Sequence, residues 1–145
     1  MTDRTQLTVE AFERLLILSH KVEVSMDRLL RQDQLTAKQF QMIAIIEKRF
    51  TAPPSIMEVA QEIGTSHQNI KQLALQLEKR GYLEILRDEK DRRVLRLRLT
   101  EKNGEYWKSR APEHLRFMMG LFTALDDEEL EGMNESLAKA IEALN

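Results

Sequence analysis

The chain has 145 residues, about the length of one domain, and 42% of them are apolar and 32% charged. It is too apolar for a disordered chain, and its 5 Gly and 3 Pro are too few for a sandwich or barrel with many turns. The lack of Cys excludes disulfides, a thiol nucleophile and Cys-ligated zinc. There is no run of eighteen apolar residues and no N-terminal signal sequence, so we expect a cytoplasmic protein without membrane association.

The net charge of −2 is unevenly distributed along the chain. Residues 64–102 contain ten basic and six acidic residues, a net charge of +4, whereas residues 1–63 carry −1 and residues 103–145 carry −5. A basic segment inside an acidic protein is typical of one module that faces an anionic partner. A solvated charged loop explains the charge alone equally well.

Apolar residues at steps of three and four predict a first helix over residues 8–31. This stripe consists of Val9, Phe12, Leu15, Leu16, Val22, Met26, Leu29 and Leu30. A second helix is predicted from Thr36, because Thr36 and Gln39 form a capping box. Pro53 and Pro54 end that segment, since proline cannot continue a helix interior.

Two short helices follow with almost no linker. Ser55 and Glu58 form a second capping box, and the third helix ends at Gly64, where a left-handed residue is needed. Ser66 caps a fourth helix, which ends before Gly81. Helices this close together must cross at a steep angle, which is the pattern of a helix-turn-helix.

The hydrophobic period then changes from 3.6 to 2. Leu83 and Ile85 alternate with Glu84, and the segment 95–99 alternates strictly between Leu and Arg. These segments predict a β-hairpin with one apolar face, and residues 87–93 form its charged tip. A hairpin directly after a helix-turn-helix is a wing.

The C-terminal part is predicted to be helical again. Thr100 caps a fifth helix whose apolar stripe extends to Leu125, and Pro112 either kinks this helix or marks a first-turn position. Asp126 and Glu129 form a third capping box at the start of the last helix. The predicted fold class is therefore mainly α with a small β-hairpin wing, a winged helix-turn-helix with long helices at both ends.

The fourth helix combines an apolar inner face with long polar side chains near its N-terminus. Gln and Asn can pair bidentately with adenine in the major groove of DNA, and Lys can reach guanine or phosphate. The candidate DNA-binding residues of this helix are Ser66, His67, Gln68, Asn69, Lys71 and Gln72. A solvated polar face explains each residue alone, but it is the weaker explanation with a wing beside the helix.

Over nearly its full length the chain resembles the multiple-antibiotic-resistance regulator (MarR) family. The resemblance is carried by four segments of the sequence, Leu35-Thr36, Leu77-Glu78-Lys79-Arg80-Gly81-Tyr82-Leu83, Asp91-Arg92-Arg93 and Leu99-Thr100. It implies a homodimeric DNA-binding transcriptional regulator, often a repressor that a small ligand releases. The implied division is a dimerisation domain of residues 1–35 and 100–145 and a DNA-binding winged helix-turn-helix of residues 36–99. Where many relatives have Thr-Arg, this chain has Lys71-Gln72, which leaves the operator sequence open.

The resemblance also assigns roles within the wing. It implies that Arg93 enters the minor groove, where a narrow A·T-rich groove has an enhanced negative potential. Asp91 would hold Arg93 in place, while Arg92 contacts phosphate and Lys90 adds positive charge at the tip. Surface ion pairs of Asp88, Glu89 and Asp91 with Lys90, Arg92 and Arg93 are the alternative.

The resemblance further implies an effector crevice between the dimerisation helices and the winged helix. Four residues are predicted to border it, namely Leu16, His20, Met42 and Trp107. Such walls suit a small apolar or aromatic acid.

Other functional classes have weaker support in the sequence. A winged helix that binds a protein, with no specific DNA target, is the alternative that stays open. The three His residues share no metal-ligand spacing, and no phosphate-binding loop, nucleophile elbow or catalytic triad is present. We therefore expect no enzymatic activity, no metal and no cofactor.

Overall fold

The computed structural model describes residues 3–145. Within these residues the chain forms six α-helices and one two-stranded antiparallel hairpin, which confirms the predicted fold class. In chain order the elements are α1 (Arg4–Leu30), α2 (Ala37–Arg49), α3 (Ile56–Ile63), α4 (His67–Lys79), β1 (Leu83–Arg87), β2 (Leu95–Leu99), α5 (Glu101–Leu121) and α6 (Asp127–Ala143). A short 3-10 turn follows α1 at Arg31–Asp33.

The helix starts are encoded locally, as the sequence predicted. The capping boxes at Thr36, Ser55 and Asp126 are all present, with each side chain accepting the backbone N–H three residues ahead. The Oγ of Ser66 accepts the backbone N–H of the residue three positions ahead at 3.1 Å and so caps α4. Gly64 ends α3 with φ of 83°, a left-handed conformation that costs glycine no steric strain.

Two helix bounds differ from the prediction, and the place of Pro112 is settled. The first helix begins at Arg4 rather than residue 8, because polar residues extend a helix without adding to the apolar stripe that located it. Pro112 lies inside α5, so it does not mark the first turn of a separate helix. The fifth helix ends at Leu121, short of the predicted Leu125.

The chain divides into two compact units, the first ending at Tyr106 and the second running from Trp107 to Asn145. The core of the first unit draws on the end of α1, on α2, α3 and α4, and on both strands. Its largest fully buried side chains are Leu30, Met42, Ile43, Ile56, Val59, Ile70, Leu77, Leu83 and Leu97. The apolar inner face predicted for the fourth helix is thus the face that packs into the core.

The hairpin is joined to the helix-turn-helix by its second strand. Leu83 pairs with Leu99 and Ile85 with Leu97, so these four apolar side chains lie on one face of the hairpin. The backbone N–H of Leu97 donates to the carbonyl of Pro54 at 2.8 Å, just before α3 begins. The hairpin is therefore fixed to the start of α3 as well as to the end of α4.

The second unit contains the remainder of α5 and all of α6. The rings of Trp107 and His114 meet edge to face, with centroids 5.3 Å apart. No residue of α6 is buried. Large apolar side chains of both helices are exposed, namely Leu115, Met118, Met119, Ile141 and Leu144.

Candidate nucleic-acid interface

The inner face of α4 holds the helix firmly in the first unit. Ile70, Ala74 and Leu77 are buried in its core. On one side of this face, Nε2 of Gln39 in α2 donates to Oε1 of Gln76 at 3.0 Å. A helix fixed in this way can present its other face without moving, so the polar side chains there are preorganised.

All six side chains predicted for the fourth helix lie at its start. Ser66 is the N-cap, and the other five belong to the first six residues of α4. Asn69 and Lys71 are half-buried, and the remaining four are exposed, namely Ser66, His67, Gln68 and Gln72. The Nδ2 of Asn69 donates to Oγ1 of Thr65 at 2.9 Å, which sets the orientation of its amide.

The C-terminal end of α4 is tied to the segment that follows α1. The guanidinium of Arg80 donates to the backbone oxygen of Asp33 at 2.6 Å and also to that of Gln34. Nζ of Lys102, at the start of α5, donates to the carbonyl of Arg80 at 2.6 Å. The position of α4 therefore depends on α1 and α5 as well as on its own core contacts.

Asp88 organises the loop at the tip of the hairpin. Its Oδ2 accepts the backbone N–H groups of Lys90 at 3.1 Å and of Asp91 at 2.9 Å. Its Oδ1 accepts Nε of Arg96 at 2.6 Å. The partner of Asp88 is thus an arginine in β2 rather than one in the tip.

Asp91 and Arg93 form a two-bond pair inside the tip. Oδ1 of Asp91 accepts Nε of Arg93 at 3.1 Å, and Oδ2 accepts Nη2 at 3.1 Å. Oδ1 also accepts the backbone N–H of Arg93 at 3.1 Å. The Arg93 side chain remains 91% exposed, so it is oriented by the carboxylate without being covered.

Arg96 connects the tip of the hairpin to the start of α3. Besides Asp88, its guanidinium donates to the carbonyl of Pro53 at 3.1 Å and to Oε1 of Glu58 at 3.4 Å. The same Glu58 oxygen accepts the backbone N–H of Ser55 at 3.0 Å in the capping box of α3. One side chain therefore fixes the hairpin tip relative to the helix-turn-helix, and sequence patterning treats it only as a polar residue of an alternating strand.

These contacts lower the pKa of two carboxyl groups in the wing, those of Asp88 and Asp91. The hydrogen bond from Arg96 lowers the pKa of Asp88, and that from Arg93 lowers the pKa of Asp91. A carboxyl group with a lowered pKa stabilises the folded form above its ordinary value of about 4, and that contribution is lost as the pH falls through the lowered value. Both carboxyl groups are therefore charged around neutral pH, as these hydrogen bonds require.

The remaining basic side chains of the tip point outward. Within residues 3–145, the side chains of Lys90 and Arg92 make no ion pair, and both are exposed. Nη1 of Arg87 donates to the backbone oxygen of Arg92 at 2.8 Å, and this hydrogen bond joins the end of β1 to the loop. Three basic groups, on Lys90, Arg92 and Arg93, are therefore presented on a loop of fixed shape.

The four residues predicted to border an effector crevice have unlike surroundings. Leu16 and His20 are exposed on α1, and Trp107 belongs to the second unit. Met42 is completely buried in the core of the first unit, because it lies on the apolar face of α2, and it offers no surface to a ligand in this conformation.

A different groove lies between α1 and α2 and has a volume of about 520 Å³. It includes none of the four predicted residues. Its wall is formed by Ser19, Val22, Glu23, Met26, Ala37, Lys38, Phe40, Gln41, Ala44 and Ile45.

Metal-binding clusters and membrane-spanning helices are absent from residues 3–145. The part of the chain that the structure describes contains no group of three or more His, Asp or Glu side chains arranged to hold a metal ion. None of the helices over residues 3–145 combines the length and the apolar character that a membrane-spanning helix needs.

Three helices with a hairpin attached to the third, and to the start of the second, define a winged helix-turn-helix protein. Residues 33–94 match the sequence profile of the MarR family. This match confirms, over the winged helix-turn-helix, the resemblance to the MarR family that the sequence shows.

Relatives and solved structures agree with this assignment. The transcriptional repressor MprA of Escherichia coli (strain K12) is 25% identical over 128 residues, which cover 88% of this chain and 73% of the relative. AbsC, a MarR family transcriptional regulator from Streptomyces coelicolor, superimposes with a TM-score of 0.82 at 19% identity, covering 99% of this chain and 97% of AbsC. A mutant MarR from E. coli complexed with operator DNA gives 0.81 at 17% identity, covering 96% of this chain and 99% of that one. At these identities the two structures establish the fold.

Proposed function

We propose that this protein is a transcriptional regulator, a repressor, that binds a specific double-stranded DNA operator as a homodimer. The observation that carries the proposal is the wing tip, where Asp91 orients the exposed guanidinium of Arg93 beside two further exposed basic groups. MprA, which is similar in sequence, is described as a transcriptional repressor, and the similar MarR structure contains operator DNA.

The outer face of α4 has the chemistry to read bases. Gln68 and Gln72 are exposed one helical turn apart, and each offers an acceptor and a donor that suit the adenine edge in the major groove. We propose that Asn69 adds a third polar contact and that Lys71 reaches guanine or phosphate. Ser66 and His67 stand at the helix N-terminus, where backbone N–H groups favour a phosphate.

The wing has the chemistry to bind the adjacent backbone and minor groove. We propose that Arg93 enters the minor groove, because a guanidinium gains most where an A·T-rich groove is narrow. Arg92 and Lys90 then contact phosphates, which adds affinity without base preference. In this assignment Asp91 acts on DNA through Arg93 alone.

The dimer is proposed from the exposed apolar surface of α1. Leu15, Leu16, Ile17 and Leu18 are consecutive and all exposed, and at about 100° per residue they cover nearly every side of the helix. A turn of helix that is apolar on every side is stable in water only when other apolar surfaces cover it. The exposed apolar residues of α5 and α6 in a second copy, with those of its α1, provide such a surface.

Selection of bound sequences from a random pool of double-stranded DNA tests the proposed function. We expect the full chain to enrich a pseudo-palindrome whose half-sites lie roughly 34 Å apart, because a two-fold dimer places its α4 helices about one duplex turn apart. The affinity for the enriched sequence should fall steeply with added salt. A pool that stays random after several rounds, with only weak binding, would instead support the alternative of a protein-binding winged helix.

A small acidic effector is the second part of the proposal. Most residues that line the groove between α1 and α2 are apolar, and its two charged residues are Lys38 and Glu23. We propose that Lys38 pairs with the acidic group of an aromatic or apolar acid, at a position away from Glu23. To change a mostly DNA-competent population into a mostly incompetent one, the ligand must prefer the second state by about 10⁴-fold. A weak ligand therefore gives only partial release.

Titration of aromatic acids into the operator complex, with Trp107 fluorescence as a readout, tests this part. Replacement of Ala44 by Phe fills the groove and should abolish release by an active acid, while His20→Phe is the matched variant outside the groove. If His20→Phe blocks release and Ala44→Phe does not, the ligand binds in the crevice predicted from the sequence.

A further inference from the structure

An exposed leucine interrupts the polar outer face of α4. Leu75 is 50% exposed, although it belongs to the helix whose other apolar residues pack into the core. It follows the buried Ala74 by one residue and is therefore turned about 100° away from it. Single exposed leucines are common on protein surfaces, so exposure alone assigns no role.

The position of Leu75 along the helix is what distinguishes it. Exposed residues of α4 recur at Gln68, Gln72, Leu75 and Lys79, in steps of four, three and four, which is one continuous stripe. With Lys71, the first three of these have the spacing i, i+3, i+4 and i+7. Recognition helices that lie along the major groove read bases with residues at this same spacing.

Leucine has no hydrogen-bonding group, so it can read only one feature of a base edge. The thymine C5-methyl group is the apolar group that the major groove displays, and contact with it distinguishes thymine from cytosine and from a base without the methyl. Seven residues of helix advance about 10.5 Å, close to three base-pair steps of 3.4 Å each. Leu75 thus reaches a base pair about three steps from the one that Gln68 contacts.

We infer that Leu75 is a specificity-determining residue that contacts a thymine methyl group in each half-site of the operator. The inference rests on the proposed DNA-binding function. It adds that each half-site of the operator contains a thymine at one defined position. It adds an apolar contact to a recognition surface for which sequence patterning indicated only polar residues.

Deoxyuridine is the probe that isolates this contact, because it pairs like thymidine and lacks only the methyl group. We propose to take the DNA enriched by the full chain and to replace each thymidine, symmetrically in both half-sites, by deoxyuridine. One position should weaken binding by about tenfold or more, since burial of one methyl in each half-site is worth about three- to fivefold. That position should lie about three base pairs from the one at which Gln68→Ala relaxes base preference.

The variant Leu75→Ala should bind the thymidine operator as weakly as the parent binds the deoxyuridine operator, with no further loss on deoxyuridine. Alanine is a strong helix former at an exposed site, so the fold should be retained, as circular dichroism can verify. Leu75→Met keeps an apolar side chain of similar reach and should retain the sensitivity to deoxyuridine. Gln68→Ala should also retain it, because that side chain reads a different base pair.

The possible failures of this experiment are distinguishable. If the selection enriches no DNA, the proposed function fails, and this inference with it. If a specific operator is enriched but no thymidine position is sensitive, or if Leu75→Ala is as sensitive as the parent, the operator function stands and the role of Leu75 is wrong.

Discussion

Replacing Phe12 by Asp should convert the proposed dimer into a monomer. Phe12 is 60% exposed on α1, so a carboxylate there remains solvated in a single chain and should cost the monomer little stability. In a dimer the same carboxylate is buried against apolar side chains without a partner, once in each chain. Because an unpaired buried ion costs several kcal/mol, dimerisation should weaken on the order of a thousandfold or more. Sedimentation at micromolar concentration should then give the mass of one chain rather than two.

The loss of the dimer should also reduce operator binding. In a dimer, binding of one winged helix brings the other to the second half-site at a high effective concentration. Separate monomers lack this advantage, so the operator affinity of Phe12→Asp should fall by about a hundredfold or more. Lys21→Asp is the matched control, since Lys21 is exposed on the opposite face of α1, two and a half turns away. If Phe12→Asp stays dimeric, this face of α1 is not the interface. If Lys21→Asp also dissociates, the effect is one of charge rather than of an apolar contact.

The parts of the fold that depend on nearby residues were predictable from the sequence. The capping boxes at Thr36, Ser55 and Asp126 join residues three positions apart, so both partners can be read in one window. The change of hydrophobic period at Leu83 marked the hairpin for the same reason, because side chains alternate across a strand. Such features fix the order and type of the elements.

Contacts between distant parts of the chain were not predictable in this way. Arg96 joins Asp88, Glu58 and Pro53, which are 8, 38 and 43 residues away, and no periodicity relates them. The same limit applies to Met42. Its residue type suits a ligand wall, but the packing of α2 against several other elements buries it completely.

The candidate site was only partly predictable, because Leu75 on the outer face of α4 is apolar and the sequence criterion selected polar residues. Polar side chains near the start of α4 indicated a nucleic-acid surface by their type. Leucine is a residue type that usually lies in the core. Only the exposure of Leu75 in the folded chain places it on the outer stripe. A rule that assigns leucine to the core is correct for Leu77, two residues later, and fails for Leu75.

Arg93→Ala should weaken operator binding by about ten- to a hundredfold when A·T pairs flank the half-sites. In the proposed binding mode, the guanidinium is held by Asp91 and enters the narrow groove that such pairs form. Changing the flanking A·T pairs to G·C should weaken the parent similarly and should hardly affect the variant. Binding titrations of both proteins on both operators, at one fixed salt concentration, give the coupling directly.

Variants of the neighbouring residues separate this role from general attraction to DNA. Arg92→Ala should weaken all sequences alike and reduce the slope of log affinity against log salt by about one for each lost phosphate contact in a half-site. Asp91→Asn removes the charge that orients Arg93 at nearly constant side-chain size, so it should reproduce part of the Arg93→Ala loss. In the Arg93→Ala background it should cause no further loss, because Asp91 is proposed to act on DNA only through that guanidinium. Two results would contradict the proposed role of Arg93. One is that the losses from Asp91→Asn and Arg93→Ala are additive, and the other is that the loss in Arg93→Ala does not depend on the flanking base pairs. Arg93 would then contact phosphate and not the minor groove.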